Sequence, residues 1–244
     1  MMTDHAEFKR HRKDEKHERK QARKAYKKPH DHIGGGIGEV FSREGKVFVE
    51  GITNIHGGEF DELFIEGVCN CSSDIVAKKL DVEGIFNCTG RVESEKLSCE
   101  GTAQIKSDVR AKEMSVEGVM EIKGRLEADH IMCWGVIHAT EEVSADVVEA
   151  KGIIHAREIV GDKIIIRSEV RTWLRRFLHR YEVINFIEAT NVELHRVNAK
   201  VVNGHDIHIG QRCVIDKIDC SGTLYVHPTA EIGEVVGNYE LVTE

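Results

Sequence analysis

Seven cysteines are the residues of this chain whose type most directly suggests metal binding or disulfide chemistry. Cys69 and Cys71 are separated by one residue, which is closer than the spacing of the usual zinc-binding pair. Cys71 and Cys88 instead occupy equivalent positions of a sequence repeat, where other segments have isoleucine. Cys99 and Cys133 replace valine at a second such position. Because a thiol packs like a small apolar side chain, we predict core cysteines, with no metal, cofactor or disulfide.

Two histidines follow the same repeat. His138 and His155 occupy equivalent positions in successive segments, and other segments have Asn54, Asn70 and Asn87 there. This predicts a ladder of polar side chains on the surface rather than a catalytic pair. The sequence contains no phosphate-binding G-x-x-x-x-G-K-[ST], no G-x-S-x-G and no H-E-x-x-H motif. We therefore expect no enzymatic activity and no small-molecule substrate.

Glycines set the register of these positions. After a slightly shorter first interval they recur at a constant spacing of about 17 residues, and a short fixed period is typical of a solenoid. The glycines are Gly51, Gly67, Gly84, Gly101, Gly118, Gly135 and Gly152. Around them apolar residues alternate with mostly polar ones, which predicts short strands with one buried face. The sequence therefore predicts an all-β fold, a single-stranded parallel β-helix with coils of about 17 residues, in which glycine turns a corner.

The repeat divides the chain into five segments. Residues 1–36 combine a basic tail with a glycine-rich hinge, and the tail has too few apolar residues to fold, which predicts disorder. Residues 37–168 should form the regular β-helix of about seven coils. Residues 169–186 have apolar side chains three and four apart and predict an amphipathic insert, helical or irregular. Residues 187–236 predict about three less regular coils, and residues 237–244 a C-terminal tail.

A column of charged residues directly precedes the glycines. It consists of Glu50, Glu66, Glu83, Glu100 and Glu117, with Trp134 in the next position. Like charges on neighbouring strands repel each other. The column is therefore either simply solvated, or an acidic stripe that binds a basic partner or the chain's own basic tail. Trp134 is either an anchor for a lateral contact or a ring that lies flat over its neighbours.

The insert carries a candidate membrane contact. Trp173, Leu174, Arg175, Arg176 and Phe177 combine apolar and cationic side chains, as interfacial helices do. The competing interpretation is a helix or loop packed on the β-helix. The apolar runs are too short to span a bilayer, and the basic start of the chain has no apolar signal segment. We expect a cytoplasmic protein with a membrane surface as a candidate partner, and acidic residues within the tail argue against nucleic acid.

The repeated words "VFVEG", "LFIEG", "LDVEG", "LSCEG" and "MSVEG" carry a family resemblance. Over residues 37–236 the chain resembles the bactofilins, bacterial cytoskeletal proteins that form polymers. The resemblance implies a right-handed β-helix that assembles end to end without nucleotide. It also implies a role in cell shape, envelope or motility organisation, with the protein itself and envelope or motility proteins as partners. The long basic tail and the insert depart from the family's usual pattern.

Two other functions remain open at this point. "IGQRCVI" and "VHPTAEIGEVV" are faintly similar to the hexapeptide repeats of left-handed β-helix acyltransferases, although the 17-residue period with one glycine per coil argues against that fold. The third interpretation is an adaptor that binds membrane or nucleic acid through its tail and does not polymerise. End-to-end assembly is favoured on physical grounds, because no cap is evident before Val47 and exposed strand edges must be paired or covered.

Overall fold

The computed structural model describes residues 38–43, 46–168 and 183–243. These residues form a parallel β-solenoid of about 11 turns, and they contain no helix. The predicted all-β parallel solenoid is therefore confirmed. The predicted tail, residues 1–36, lies outside the described residues, as does the predicted insert up to residue 182.

The described residues form 21 strands. An initial strand, β1 (Gly38–Arg43), precedes the solenoid. The long strands before the interruption are β2 (Lys46–Ile55), β3 (Gly58–Ile65), β5 (Ile75–Val82), β7 (Val92–Cys99), β9 (Val109–Val116), β11 (Leu126–Cys133), β13 (Glu142–Ala150) and β15 (Glu158–Arg167). The short strands are β4 (Val68–Cys71), β6 (Ile85–Cys88), β8 (Thr102–Ile105), β10 (Val119–Ile122), β12 (Val136–Ala139) and β14 (Ile153–His155). The remaining strands are β16 (Ile184–His195), β17 (Asn198–Ile209), β18 (Val214–Cys220), β19 (Thr223–Val226), β20 (Glu231–Val236) and β21 (Glu240–Leu241).

Apart from β1 and β14, each strand before the interruption pairs in parallel with its equivalent one turn later. Leu80 is opposite Leu97, for example, and Leu97 is opposite Met114. In the long strands from β3 to β15 the pairing skips one residue in the middle, such as Lys78, where the strand bends. A turn therefore has three sides: the first half of a long strand, its second half, and a short strand.

The core is one continuous stack of inward side chains. In β7, β9 and β11 buried and exposed residues alternate, as the period of two predicts. Burial of each large apolar side chain contributes roughly 1.5–3 kcal/mol. The stack continues across the interruption, because β15 pairs directly with β16 and Ile187, Val202 and Ile218 belong to the same cluster as Leu80.

The cross-section changes after the interruption. β16 and β17 are each 12 residues long, and the chain passes from one to the next through a tight turn instead of a short strand. Arg196 and Arg212 occupy successive turns of this kind, and both have left-handed backbone angles, with φ of 59° and 56°. The third side of the solenoid is thus reduced to a turn, which explains the less regular spacing of the sequence here.

The first strand corrects an expectation from the sequence. β1 pairs antiparallel with β2, so that Val40 is opposite Val49 and Gly38 is opposite Gly51. The start of the solenoid therefore has a partial cap where the sequence indicated only a glycine-rich hinge. At the other end, the residues predicted to be a C-terminal tail include β21, which pairs in parallel with β19.

Candidate functional sites

The glycine column holds neighbouring turns together at very close range. A Cβ atom on Gly84 would collide with the backbone oxygen of Gly67 and lie 2.6 Å from that of Glu66. Gly101 is placed in the same way over Gly84. Of the seven predicted corner glycines, Gly51 alone has a positive φ, 69°. At Gly51 the corner conformation that the sequence suggested does require glycine, whereas at the other six the physical reason is close backbone approach between turns.

The glutamate column follows these glycines along the outside of the solenoid. Glu66 is exposed, and the other four glutamates are partly buried. Three lysines of the long strands pair with acids outside the column: Lys78 with Asp61, Lys96 with Glu113 and Lys112 with Glu95. Trp134 is also partly buried, and its backbone N–H donates to the Val116 carbonyl at 2.8 Å.

All seven cysteines are buried as free thiols, so the prediction of core cysteines is confirmed. Burial raises the pKa of Cys133 to about 12. Cys71 and Cys88 are opposite each other on β4 and β6. A hydrogen bond from the Cys88 thiol lowers the pKa of Cys71 to about 7, and the same contact raises the pKa of Cys88. Among the described residues, no group of three or more His, Cys, Asp or Glu is placed to hold a metal ion.

The polar ladder is present on the short-strand side. The Asn70 amide donates to the Asn54 side chain at 3.0 Å, and the Asn87 amide donates to Asn70 at 2.9 Å. The rings of His138 and His155 continue the column with centroids 5.1 Å apart. The sequence did not single out the neighbouring column, in which Ile52 and other β-branched residues point outward.

The C-terminal turn exposes large apolar side chains. Leu241 is 63% exposed and Val242 is 43% exposed. Ile232 and Val235 of β20 are partly buried and pack against the core. Within the described part of the chain, β20 pairs only with β18 and β21 only with β19. Their outer edges are therefore left open at the end of an apolar core.

The N-terminal turn is covered on one of its three sides. β1 pairs with residues 46–51 of β2. Residues 52–55 pair only with β4, and residues 58–60 pair only with β5, among the residues that the structure describes. Two of the three sides therefore present an open strand edge at this end.

A polar cluster lies where the chain leaves and rejoins the solenoid. The Arg167 guanidinium donates to both carboxylate oxygens of Glu193, at 2.6 and 2.9 Å. The His195 Nε2 lies 3.0 Å from the same carboxylate. Burial raises the pKa of Glu193, but hydrogen bonds and charge from Arg167 and His195 outweigh it and leave the pKa below its ordinary value. The pair Arg167–Glu193 ties β15 to β16 across the interruption.

The imidazole of His195 is held in place by its neighbours. A Cβ atom on Gly210 would collide with this ring, so glycine is required there for the ring to lie against the backbone. The His208 ring lies 5.8 Å from that of His195 and stacks on Tyr225 at 4.3 Å. A histidine bonded to a carboxylate can act as a base whose tautomer is fixed. No pattern in the sequence indicated this cluster, because its members are separated by the insert.

The cluster borders a cleft of about 820 Å³. The cleft is lined by Arg167, Ser168, Glu193, His195, Arg196, His208 and Gln211. All of these side chains are polar, so the cleft suits a polar ligand better than an apolar one.

The candidate membrane contact at residues 173–177 lies outside the described residues. In the part of the chain that the structure describes, no helix has the length and apolar character needed to cross a bilayer.

Comparison with known proteins gave no relative. No protein-family model, no curated protein and no solved structure matches this chain.

Proposed function

We propose that this protein is a structural scaffold that assembles end to end into filaments without nucleotide. The fold class is that of a solenoid, and the sequence resembles the bactofilins over residues 37–236. The single observation that carries the proposal is the C-terminal turn, where Leu241 and Val242 are exposed beside strand edges that no other described strand covers.

Unpaired backbone groups at the end of the solenoid favour assembly. An open edge presents rows of N–H and C=O groups that can pair with another chain, and proteins usually cover or shorten such edges. Here β20 offers six residues at the end of a continuous core. A second solenoid placed on this end would pair the backbone N–H and C=O groups of the edge and bury Leu241 and Val242. Each added copy presents a further end to which the next copy can bind.

The two ends are unequal. The antiparallel β1 covers one side of the first turn and leaves the other two sides open. An assembly that joins unlike ends does not close and gives filaments, and alternation of like-end contacts also gives filaments if both ends are used. Either arrangement uses the C-terminal turn.

The cellular role follows from the resemblance to the bactofilins. We assign to the filaments the organisation of cell shape, envelope or motility proteins from the cytoplasm. Other copies of the chain are the principal partners, and a membrane surface is a further candidate partner.

The test is electron microscopy and sedimentation velocity of the purified protein in buffer free of nucleotide. We expect filaments for the wild type and small species for Leu241→Lys, because the lysine places a charge in the contact. Val119→Lys is the matched control: Val119 is 39% exposed on the short-strand side, near the middle of the stack between Thr102 and Val136, and this variant should still assemble. Circular dichroism checks that both variants fold. Unchanged assembly of Leu241→Lys would count against the proposed contact.

An acyl-transfer enzyme is the competing function, and one observation favours it. The Glu193 carboxylate bonds to His195 at 3.0 Å beside a cleft, which is the arrangement of a general base and its orienting acid. An enzyme should bind an acyl donor and lose turnover in His195→Gln without any change in assembly. A scaffold should show neither donor binding nor turnover.

A further inference from the structure

The cleft at the interruption carries a positive charge that pairs with no acid of the residues described by the structure. Arg167 is matched by Glu193 through two hydrogen bonds. Arg196 also lines the cleft, and its guanidinium donates to the Ser168 carbonyl at 3.4 Å, but it forms no salt bridge with the acids of the described residues. On a chain of net charge −8, the cleft is thus a local cationic site.

The backbone at Arg196 is also unusual. Its φ of 59° lies in the left-handed region, which costs a residue with a side chain roughly 1–2 kcal/mol and ordinarily favours glycine or asparagine. The turn is fixed by a hydrogen bond from the Arg196 N–H to the Gln211 carbonyl at 2.9 Å. A strained arginine at the rim of a polar cleft is a feature that recurs at ligand sites.

The other lining groups add hydrogen-bond capacity. Gln211 is exposed at the next turn, and its amide can donate two hydrogen bonds. His208 lines the same cleft. Arginine with amide and imidazole donors suits a group with several acceptor oxygens, and phosphate offers more of them than a carboxylate does. A volume of about 820 Å³ is within the range of small-molecule sites.

We propose that this cleft binds a phosphate monoester, with Arg196 supplying the charge and Gln211 and His208 supplying hydrogen bonds. The Arg167–Glu193–His195 cluster forms one wall of the cleft. Arg167 already donates to both carboxylate oxygens of Glu193, so the anion pairs with Arg196 instead. This site is independent of end-to-end assembly, since none of its residues belongs to the first or last turn.

The experiment uses the full chain carrying Leu241→Lys, so that assembly does not interfere with the measurement. Glycerol 3-phosphate is titrated by isothermal calorimetry, and vesicles containing phosphatidic acid are tested by co-sedimentation in a second arm. Binding in the first arm identifies a soluble phosphate ester as the ligand, and binding in the second arm alone identifies a lipid headgroup. Either result supports the site only if it depends on Arg196.

Two arginine variants supply that comparison. Arg196→Asn keeps a residue that tolerates the left-handed conformation and removes the charge, and it should weaken binding about tenfold or more, as expected for the loss of a charge-assisted hydrogen bond. Arg212→Asn is the matched control, because Arg212 has the same conformation, φ 56°, one turn further on and does not line the cleft. It should change binding less than about twofold. No binding in either arm, or equal losses in the two variants, would overturn the proposal. Filaments made by the wild type bear only on the scaffold function.

Discussion

Replacing Gly101 by alanine tests why the repeat is built on glycine. A Cβ atom there would collide with the Gly84 oxygen and lie 2.5 Å from the Glu83 oxygen and 2.7 Å from the Glu83 carbonyl carbon. These are backbone atoms of the preceding turn, so no side-chain rotation relieves the contact. The two turns must separate locally, and the Gly101→Ala variant should be strongly destabilised.

The size of the effect follows from the bonds at this point. Real Cβ atoms essentially never approach another heavy atom more closely than 3.0 Å. The 2.5 Å contact between the added Cβ and the Glu83 oxygen must therefore lengthen to at least that distance. The Gly84 carbonyl accepts from the Thr102 N–H at 2.9 Å, and the Gly101 N–H donates to Val82 at 3.0 Å. Loss of one such buried bond costs about 1–3 kcal/mol, and the overpacking itself costs about 1–3 kcal/mol. We expect a total of about 2–6 kcal/mol in the free energy of unfolding.

Urea denaturation followed by circular dichroism measures this loss. Gly58→Ala is the control, because Gly58 has φ of 131° and no atom within 4 Å of an added Cβ. It therefore carries only the cost of the backbone conformation, on the order of 1–3 kcal/mol, without the collision between turns. If Gly101→Ala is neutral, close approach between turns is not the reason for the glycine column.

Three further predictions concern the polar ladder, the cysteines and the ion pair. Asn70→Ala removes the donor to Asn54 and the acceptor for Asn87, and it should lower the free energy of unfolding in urea by about 1–2 kcal/mol. The control is Gln104→Ala, at an exposed position of the same column, which should lower it by less than about 0.5 kcal/mol. The seven buried thiols should react with a thiol reagent only after denaturation, and rapid labelling of native Cys133 would contradict the described core. The pKa of Glu193 is held below the ordinary glutamate value of 4.5. Its ionised form therefore contributes stability that is complete above that value and is lost as the pH falls through the lower, folded pKa. Acid titration should show a smaller loss of stability in Glu193→Gln than in the wild type, and parallel titration curves would refute the ion-pair assignment.

Periodicity was enough to predict the regular part of the fold. The 17-residue spacing places Leu80, Leu97 and Met114 in one column, and these residues do stack across parallel strands. The same register identified the buried cysteines and the asparagine ladder. Such features repeat in every turn, so each turn confirms the assignment of the others.

Features that occur once were not predicted. "GEVFSR" in β1 has no apolar–polar alternation, and neighbouring glycines suggested a hinge. Its antiparallel partner is set by the open edge of β2. Arg196 and Arg212 adopt left-handed angles that arginine rarely shows, so no residue type marked these turns. The bond between Arg167 and Glu193 depends on the residue at which strand pairing resumes after the interruption. The sequence alone does not specify that residue.

End-to-end assembly of this solenoid fixes the axial repeat of the filament. About 11 turns at roughly 4.8 Å per turn give a subunit length of about 50 Å. Electron microscopy of nucleotide-free protein should show filaments with an axial repeat of about 50 Å if unlike ends meet, or about 100 Å if like ends alternate. Single particles of monomer size at every protein and salt concentration would show that the solenoids do not assemble end to end.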